Sequence, residues 1–124
     1  VWFPEPAQKA KAAGAELLIS LHASPYHQGK QAQREHETRA RAVENQLPIV
    51  YANAVGGQDE LVFDGGSHIV DASGQIIFRA AAFVEEISCV DLPIDLIKKS
   101  QPLPLATCSE SPNKLQEIYQ ALVL

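Results

Sequence analysis

The sequence predicts an α/β fold, a mixed sheet with flanking helices, and three observations carry the prediction. Two short apolar runs, residues 16–21 and 48–54, alternate with stretches of helical composition. A hairpin signature follows over 67–80, where two apolar runs flank Asp71-Ala72-Ser73-Gly74. The chain of 124 residues is 46% hydrophobic and 20% charged, the balance of one globular domain with a real core.

Taken in order, Pro4 and Pro6 suit the entry of a helix, because a missing N–H costs little in the first turn. Residues 7–13 favour helix, and Gly14 is a natural stop. Residues 16–21 read as an interior strand, apolar on both faces. A polar loop follows, His22-Ala23-Ser24-Pro25-Tyr26-His27-Gln28-Gly29-Lys30. The longest helix is predicted over 31–46, with Ala32, His36, Ala40 and Val43 on its inner face. Glu35 with Arg39 and Glu37 with Arg41 form exposed i,i+4 pairs on a solvated face.

A second buried strand is expected at 48–54, then a loop over 55–66 holding a short strand, then the hairpin. Residues 82–92 read as a further strand ended by Pro93, with Cys89 buried in it. From Ser100 the composition turns to prolines and small polar residues, so 100–112 reads as a linker. Residues 113–124 restart as a helix with positions 115, 118, 119, 122 and 123 on one apolar face. The first domain therefore spans 1–99.

The bulk numbers exclude some functions. A net charge of −5 and a pI near 5.3 argue against a nucleic-acid surface, which needs a basic stripe. No apolar run approaches the ~20 residues of a membrane span. Two cysteines are too few for a disulfide framework, which favours a reducing, cytoplasmic setting. The chain contains no methionine and opens on Val1-Trp2-Phe3, which reads as a segment from within a longer protein.

The most informative stretches are "VWFPEPAQKAKAAGAELLISLHASPYHQGK" and "VYANAVGGQDELVFDGGSHIVDASGQ". Together they resemble the nitrilase, or carbon–nitrogen hydrolase, superfamily. More narrowly, "GGQDELVFDG" and "WFPEPA" resemble the glutaminase domains of bacterial glutamine-dependent NAD synthetases. The resemblance covers residues 1 to about 100, and "LQEIYQALVL" is similar to the helix leading into the synthetase domain of that family. It implies that this chain is the C-terminal half of a nitrilase-type αββα sandwich.

It also implies a chemistry. The family works with a Glu–Lys–Cys triad, whose cysteine sits just ahead of the Trp-Phe-Pro region, so the resemblance places no catalytic residue within this chain. Cys89 in a strand and Cys108 in the proline-rich stretch lack the adjacent base that would make a thiol nucleophilic. The resemblance assigns glutamine contacts to Ser24 and Lys30, with Trp2 lining the pocket. A hydroxyl and a cation suit an amino acid's polar end, although lysine lacks the bidentate fork of the arginine found in relatives.

The partners implied are glutamine here and, for the whole enzyme, ATP, Mg²⁺ and deamido-NAD on the synthetase domain. A homo-oligomer is expected, since faces normally covered by the other half would be exposed. His22 stands where relatives carry asparagine and reads as a hydrogen-bonded structural residue. The spacing of His22, His27, His36 and His68 matches no common zinc pattern, so no metal is expected. Gln58, Asp59, Glu60 and Asp64 offer paired carboxylates for acid–base chemistry or, as the favoured reading, turn and capping groups, and Gly56-Gly57 is too weak for a phosphate loop. Two rivals stay open: a stand-alone amidase of the superfamily, and a non-catalytic α/β interaction module.

Overall fold

The computed structural model describes residues 1–124. Its elements run α1 (Pro4–Ala12), β1 (Leu18–His22), α2 (Lys30–Asn45), β2 (Ile49–Asn53), β3 (Val55–Gln58), β4 (Leu61–Asp64), β5 (His68–Val70), β6 (Ile76–Arg79), α3 (Ile94–Lys98) and α4 (Lys114–Val123). Four strands form a mixed sheet in the order β1-β2-β5-β6, with β1 parallel to β2 and the other pairs antiparallel. The expected mixed sheet with flanking helices is what the chain builds.

Local chemistry explains the element ends. Pro4 opens α1, Glu5 lies in its first turn, and Lys9 and Lys11 in its last complement the helix dipole. The C-terminus of α2 is closed by Gln46 in the left-handed region, whose N–H reaches the carbonyls of Ala42 and Val43. The β5–β6 turn is built on Asp71, whose Oδ1 accepts from Ser73 N, Ser73 Oγ and Gln75 N at 3.0, 2.6 and 3.0 Å. Its Oδ2 takes the Leu103 N–H at 3.0 Å. Burial alone would push the Asp71 carboxyl up, but these hydrogen bonds outweigh it and hold the carboxyl below its ordinary value. α4 begins with a capping box between Asn113 and Gln116.

Apolar packing covers both faces of the sheet at β2, β5 and β6. Ala42, Ile49, Val70 and Ile76 form a buried cluster under α2. Ile69, Ile77, Phe78, Ile97 and Leu103 form the other, closed by α3. Each such side chain contributes about 1.5–3 kcal/mol when fully buried. No helix is long and apolar enough to cross a membrane.

Six expectations are corrected. Residues 82–92 form no strand; Val84 and Ile87 are exposed, and Phe83 turns at φ +63°. A strand needs a free edge, and the edge of β6 is already taken by the proline-rich stretch. Ala106 N–H donates to Ile77 O, Arg79 N–H to Thr107 O, and Ser109 N–H to Arg79 O. Cys89 is accordingly exposed, not buried. β1 is an edge strand, with Ile19 66% and Leu21 79% exposed, because nothing packs on its outer face.

On α2 the expected inner residues Ala32, His36 and Val43 are exposed, and Arg34, Thr38, Arg41, Ala42 and Asn45 are buried instead. The polar residues can turn inward because distant strands supply their partners. Glu35 therefore pairs with Arg79, and Arg41 with Glu44, in place of the expected i,i+4 pairs. Residues 55–66 hold two strands, the hairpin β3–β4, turning at Asp59 with φ +54°.

Candidate functional site

The loop between β1 and α2 leaves the carboxyl end of a parallel strand pair, where open α/β sheets place their ligands. The loop is tied down along its length. His22 O accepts from Ala54 N at 3.0 Å, Tyr26 N donates to Val62 O at 2.7 Å, and Pro25 bridges Phe63. Gly29, at φ +78°, makes the sharp entry into α2 that brings Lys30 back over the chain's first residues. Lys30 Nζ sits 4.3 Å from the centre of the Trp2 ring, a cation–π contact, and forms no ion pair.

Beneath this loop lies Arg34, fully buried on the inner face of α2. It donates from Nε to Ser24 Oγ (3.1 Å), from Nη2 to the carbonyls of Ser24 (2.9 Å) and Pro25 (3.2 Å), and from Nη1 to Asp64 Oδ2 (2.8 Å) and Gln31 Oε1 (3.3 Å). The five hydrogen bonds match the five N–H donors of a guanidinium. Asp64, equally buried, also brings Oδ1 to 2.8 Å from Nη2 and neutralises the charge. Asn53 at the end of β2 completes the clamp: its Oδ1 accepts from Ser24 N at 2.8 Å, and its Nδ2 donates to Gly65 O at 2.9 Å. Gly65 and Gly66 both take φ +69°, and a Cβ on Gly66 would collide with Gln31 Oε1.

A stacked ladder of rings runs behind Ser24. Tyr51 lies between His22, with centroids 4.3 Å apart, and His68, at 4.8 Å. His22 Nε2 sits 2.6 Å from Ser20 Oγ. His68 Nδ1 faces Gly66 O at 3.0 Å, an acceptor only, so the neutral ring carries its proton there. Its Nε2 lies 3.1 Å from the Thr38 hydroxyl, which donates its own proton to Arg34 O at 2.8 Å. Burial pushes the His68 imidazole below its ordinary value, and burial also lowers His22, with the Arg34 charge acting the same way.

Beside the network opens a cleft of about 190 Å³, lined by Gln31, Glu35, Gly66, Arg79, Glu110 and Glu117 among others. Arg79 grips Glu35 with two hydrogen bonds, 2.6 and 2.9 Å, while Gln31 Nε2 adds a third at 2.9 Å. Burial raises the Glu35 carboxyl, but these bonds outweigh it and set it low. Glu117 on α4 is pushed up, by burial and by the Asp64 charge. No three His, Cys, Asp or Glu side chains converge on a point where they could hold a metal ion.

Of the residues singled out from sequence, Lys30 and Trp2 are brought into contact, and Ser24 is held half-buried by Arg34 and Asn53. None of the three lines the cleft. Gln58, Asp59 and Glu60 are exposed at the hairpin tip, whereas Asp64 is the buried partner of Arg34. Sequence reasoning missed Arg34, Asn53 and His68. The signal was present as a second helical stripe, Arg34-Thr38-Arg41-Asn45, whose polar letters do not read as a buried face.

The family model for carbon-nitrogen hydrolases matches residues 1–101. The chain is 41% identical over 106 residues to the glutamine-dependent NAD(+) synthetase of Aquifex aeolicus, covering 85% of this chain and 19% of that protein. Among solved structures it resembles the glutamine-dependent NAD+ synthetase of Acinetobacter baumannii in complex with ADP. There the TM-score is 0.88 at 30% identity, over 98% of this chain and 22% of that one. A carbon-nitrogen hydrolase from Helicobacter pylori G27 matches less fully, with a TM-score of 0.60 at 28% identity over 68% of this chain and 34% of that one. The chain thus spans about a fifth of the length of the synthetases it matches.

Proposed function

The chain belongs to the carbon–nitrogen hydrolase family, and on that premise we propose that it is part of the glutaminase domain of a glutamine-dependent NAD+ synthetase. The observation that carries this reading is the clamped loop at the carboxyl end of β1, which presents the Ser24 hydroxyl and the Lys30 ammonium from a fold matched over 98% of its length by such a synthetase. Ser24 and Lys30 bind the polar end of glutamine, and Trp2 forms a wall against its aliphatic stem.

The amide is cleaved by groups outside residues 1–124. A cysteine thiolate attacks the side-chain carbonyl, a glutamate moves the proton to the leaving nitrogen, and a lysine with backbone N–H groups stabilises the oxyanion. Ammonia departs, and water hydrolyses the thioester to release glutamate. Neither Cys89 nor Cys108 takes the nucleophile's place, and the chain alone is inactive. The residues present offer no cage for Mg²⁺; ATP, Mg²⁺ and deamido-NAD belong to the synthetase portion of the whole enzyme, which works in the cytoplasm as a homo-oligomer.

The test uses the full-length protein. Ser24→Ala should raise the KM for glutamine about tenfold, the scale of one hydrogen bond to a charged group, and leave NAD+ formation from free ammonia nearly intact. Equal loss with both nitrogen donors would refute a glutamine-site role for Ser24.

A further inference from the structure

The arginines that turn inward are met in full, with one exception. Arg34 spends all five donors, and Arg79 holds Glu35 by two hydrogen bonds and reaches Ser109 O at 3.3 Å. Arg41, toward the C-terminus of α2, is 8% exposed, yet a single hydrogen bond meets its guanidinium, from Nη2 to Glu44 Oε1 at 3.0 Å. Its Nε is buried without a partner. The Glu44 side chain is 45% exposed and shares its charge with solvent, and Glu37, one turn back, forms no ion pair with Arg41. A buried charged donor left unmet carries its full desolvation penalty.

The surroundings of Arg41 say where an acceptor comes from. Ala42, the next residue, packs on Ile49, and Ile49 lines a cavity of about 130 Å³ together with Val1, Ala7 and Leu18. α1 packs against α2, which brings Val1 to the same side of the sheet. Burial lowers the Val1 ammonium and the Arg41 charge acts the same way, so the guanidinium lies within electrostatic reach of Val1. The inward-turned Arg34 and Arg79 each hold a carboxylate, at 2.8 and 2.6 Å, and a neutral carbonyl would leave the buried charge of Arg41 uncompensated.

We propose that Arg41 is a positioning residue whose guanidinium grips a carboxylate on the stretch directly preceding Val1, and so fixes the stretch that carries the nucleophilic thiol. The inference rests on the glutaminase reading, under which that thiol lies just ahead of Trp2-Phe3-Pro4. Arg41 touches no substrate; it acts by holding the backbone on which the thiol is mounted.

The first test needs only the parent reading frame. About four residues of extended chain reach roughly 13 Å, so an Asp or Glu must stand within that distance ahead of Val1, and none there overturns the proposal. In the full-length enzyme, Arg41→Met keeps most of the side-chain volume and removes the charge. The kcat for glutamine hydrolysis should fall about tenfold or more, the scale of a misplaced reacting group, while KM stays within about twofold. Synthesis from free ammonia should be nearly unchanged. Arg41→Lys, which keeps the charge and loses the fork, should recover part of the kcat.

Changing the upstream acid to its amide should reproduce the loss seen with Arg41→Met, and the two losses should not add in the double variant. Full additivity, or equal loss with both nitrogen donors, would show Arg41 to be structural only. The pairing is also read without activity, since the urea-midpoint shifts of the same variants should be non-additive. A parent that does not hydrolyse glutamine would refute the glutaminase reading and the positioning role with it, while the midpoints still decide the pairing. Should Arg41→Met fail to fold, Arg41→Lys combined with the amide variant gives the same cycle.

Discussion

The two ends of α2 pack on the same sheet by different chemistry. Toward its C-terminus, Ala42 meets Ile49, Val70 and Ile76 in an apolar contact. Toward its N-terminus, Arg34 and Thr38 meet Asp64, Ser24 and His68 through polar contacts of 2.8, 3.1 and 3.1 Å. The strand beneath changes in step: β2 presents Ile49, then Tyr51, then Asn53 as it runs toward its carboxyl end. Apolar contact is non-directional and tolerates small shifts. A guanidinium with five satisfied donors accepts one arrangement only. The helix is thus anchored by its apolar end, while the polar end spends buried volume on placing a loop.

That contrast predicts unequal responses to mutation. The largest is expected for Asp64→Ala, which strands the buried Arg34 charge and should cost about 3–5 kcal/mol, read from the urea midpoint. It should also weaken glutamine use in the full-length enzyme. Replacing both partners by apolar residues, Arg34→Met with Asp64→Leu, should recover most of the stability and none of the glutamine affinity. Recovery of both would erase the distinction between the two ends. Next comes Ile49→Ala, expected to cost about 2–4 kcal/mol by transfer and cavity formation. In that variant the KM for glutamine should stay within about twofold of its starting value, because no directional bond is lost. A large KM change would mean that the apolar end also sets the loop.

The smallest effect is the pH dependence of the polar end. The His68 pKa lies below its unfolded value because burial disfavours the charged ring. Between those two values the unfolded chain binds more protons, so stability falls as pH drops below about 6.5 and levels off beneath the folded pKa. His22 is lowered as well and contributes in the same window. Comparing the urea midpoints of the parent and His68→Asn at pH 7.5 and 5.5 isolates the His68 share, about 1.4 kcal/mol per pH unit at most. The parent should lose more stability on acidification than the variant. An equal loss in both would mean that the ring titrates freely.

Much of the frame was legible before any coordinates. The strand–helix alternation located β1, α2 and β2, and the Asp71 turn located β5 and β6. Pro4 and Pro6 marked the start of α1, and the apolar spacing over 115–123 marked α4. The misreadings share a cause. Residues 82–92 have strand-like letters, but pairing is decided by which segment reaches the free edge of β6, and residues 106–109 reach it. The inner face of α2 was assigned by counting apolar letters, whereas Arg34 goes inside because Asp64, 30 residues away, is there to meet it. Periodicity reports the spacing of a face and not whether distant partners satisfy it. The contact between Lys30 and Trp2 was likewise unreadable, although each had been singled out separately.

The sheet is also asymmetric at its borders. Residues 106–109 seal β6, while β1 keeps a full row of backbone donors and acceptors unpaired on one side. Within the four-stranded sheet, any further strand can therefore be added on one side alone, beside β1, and the register of β1 fixes which of its residues such a strand would meet.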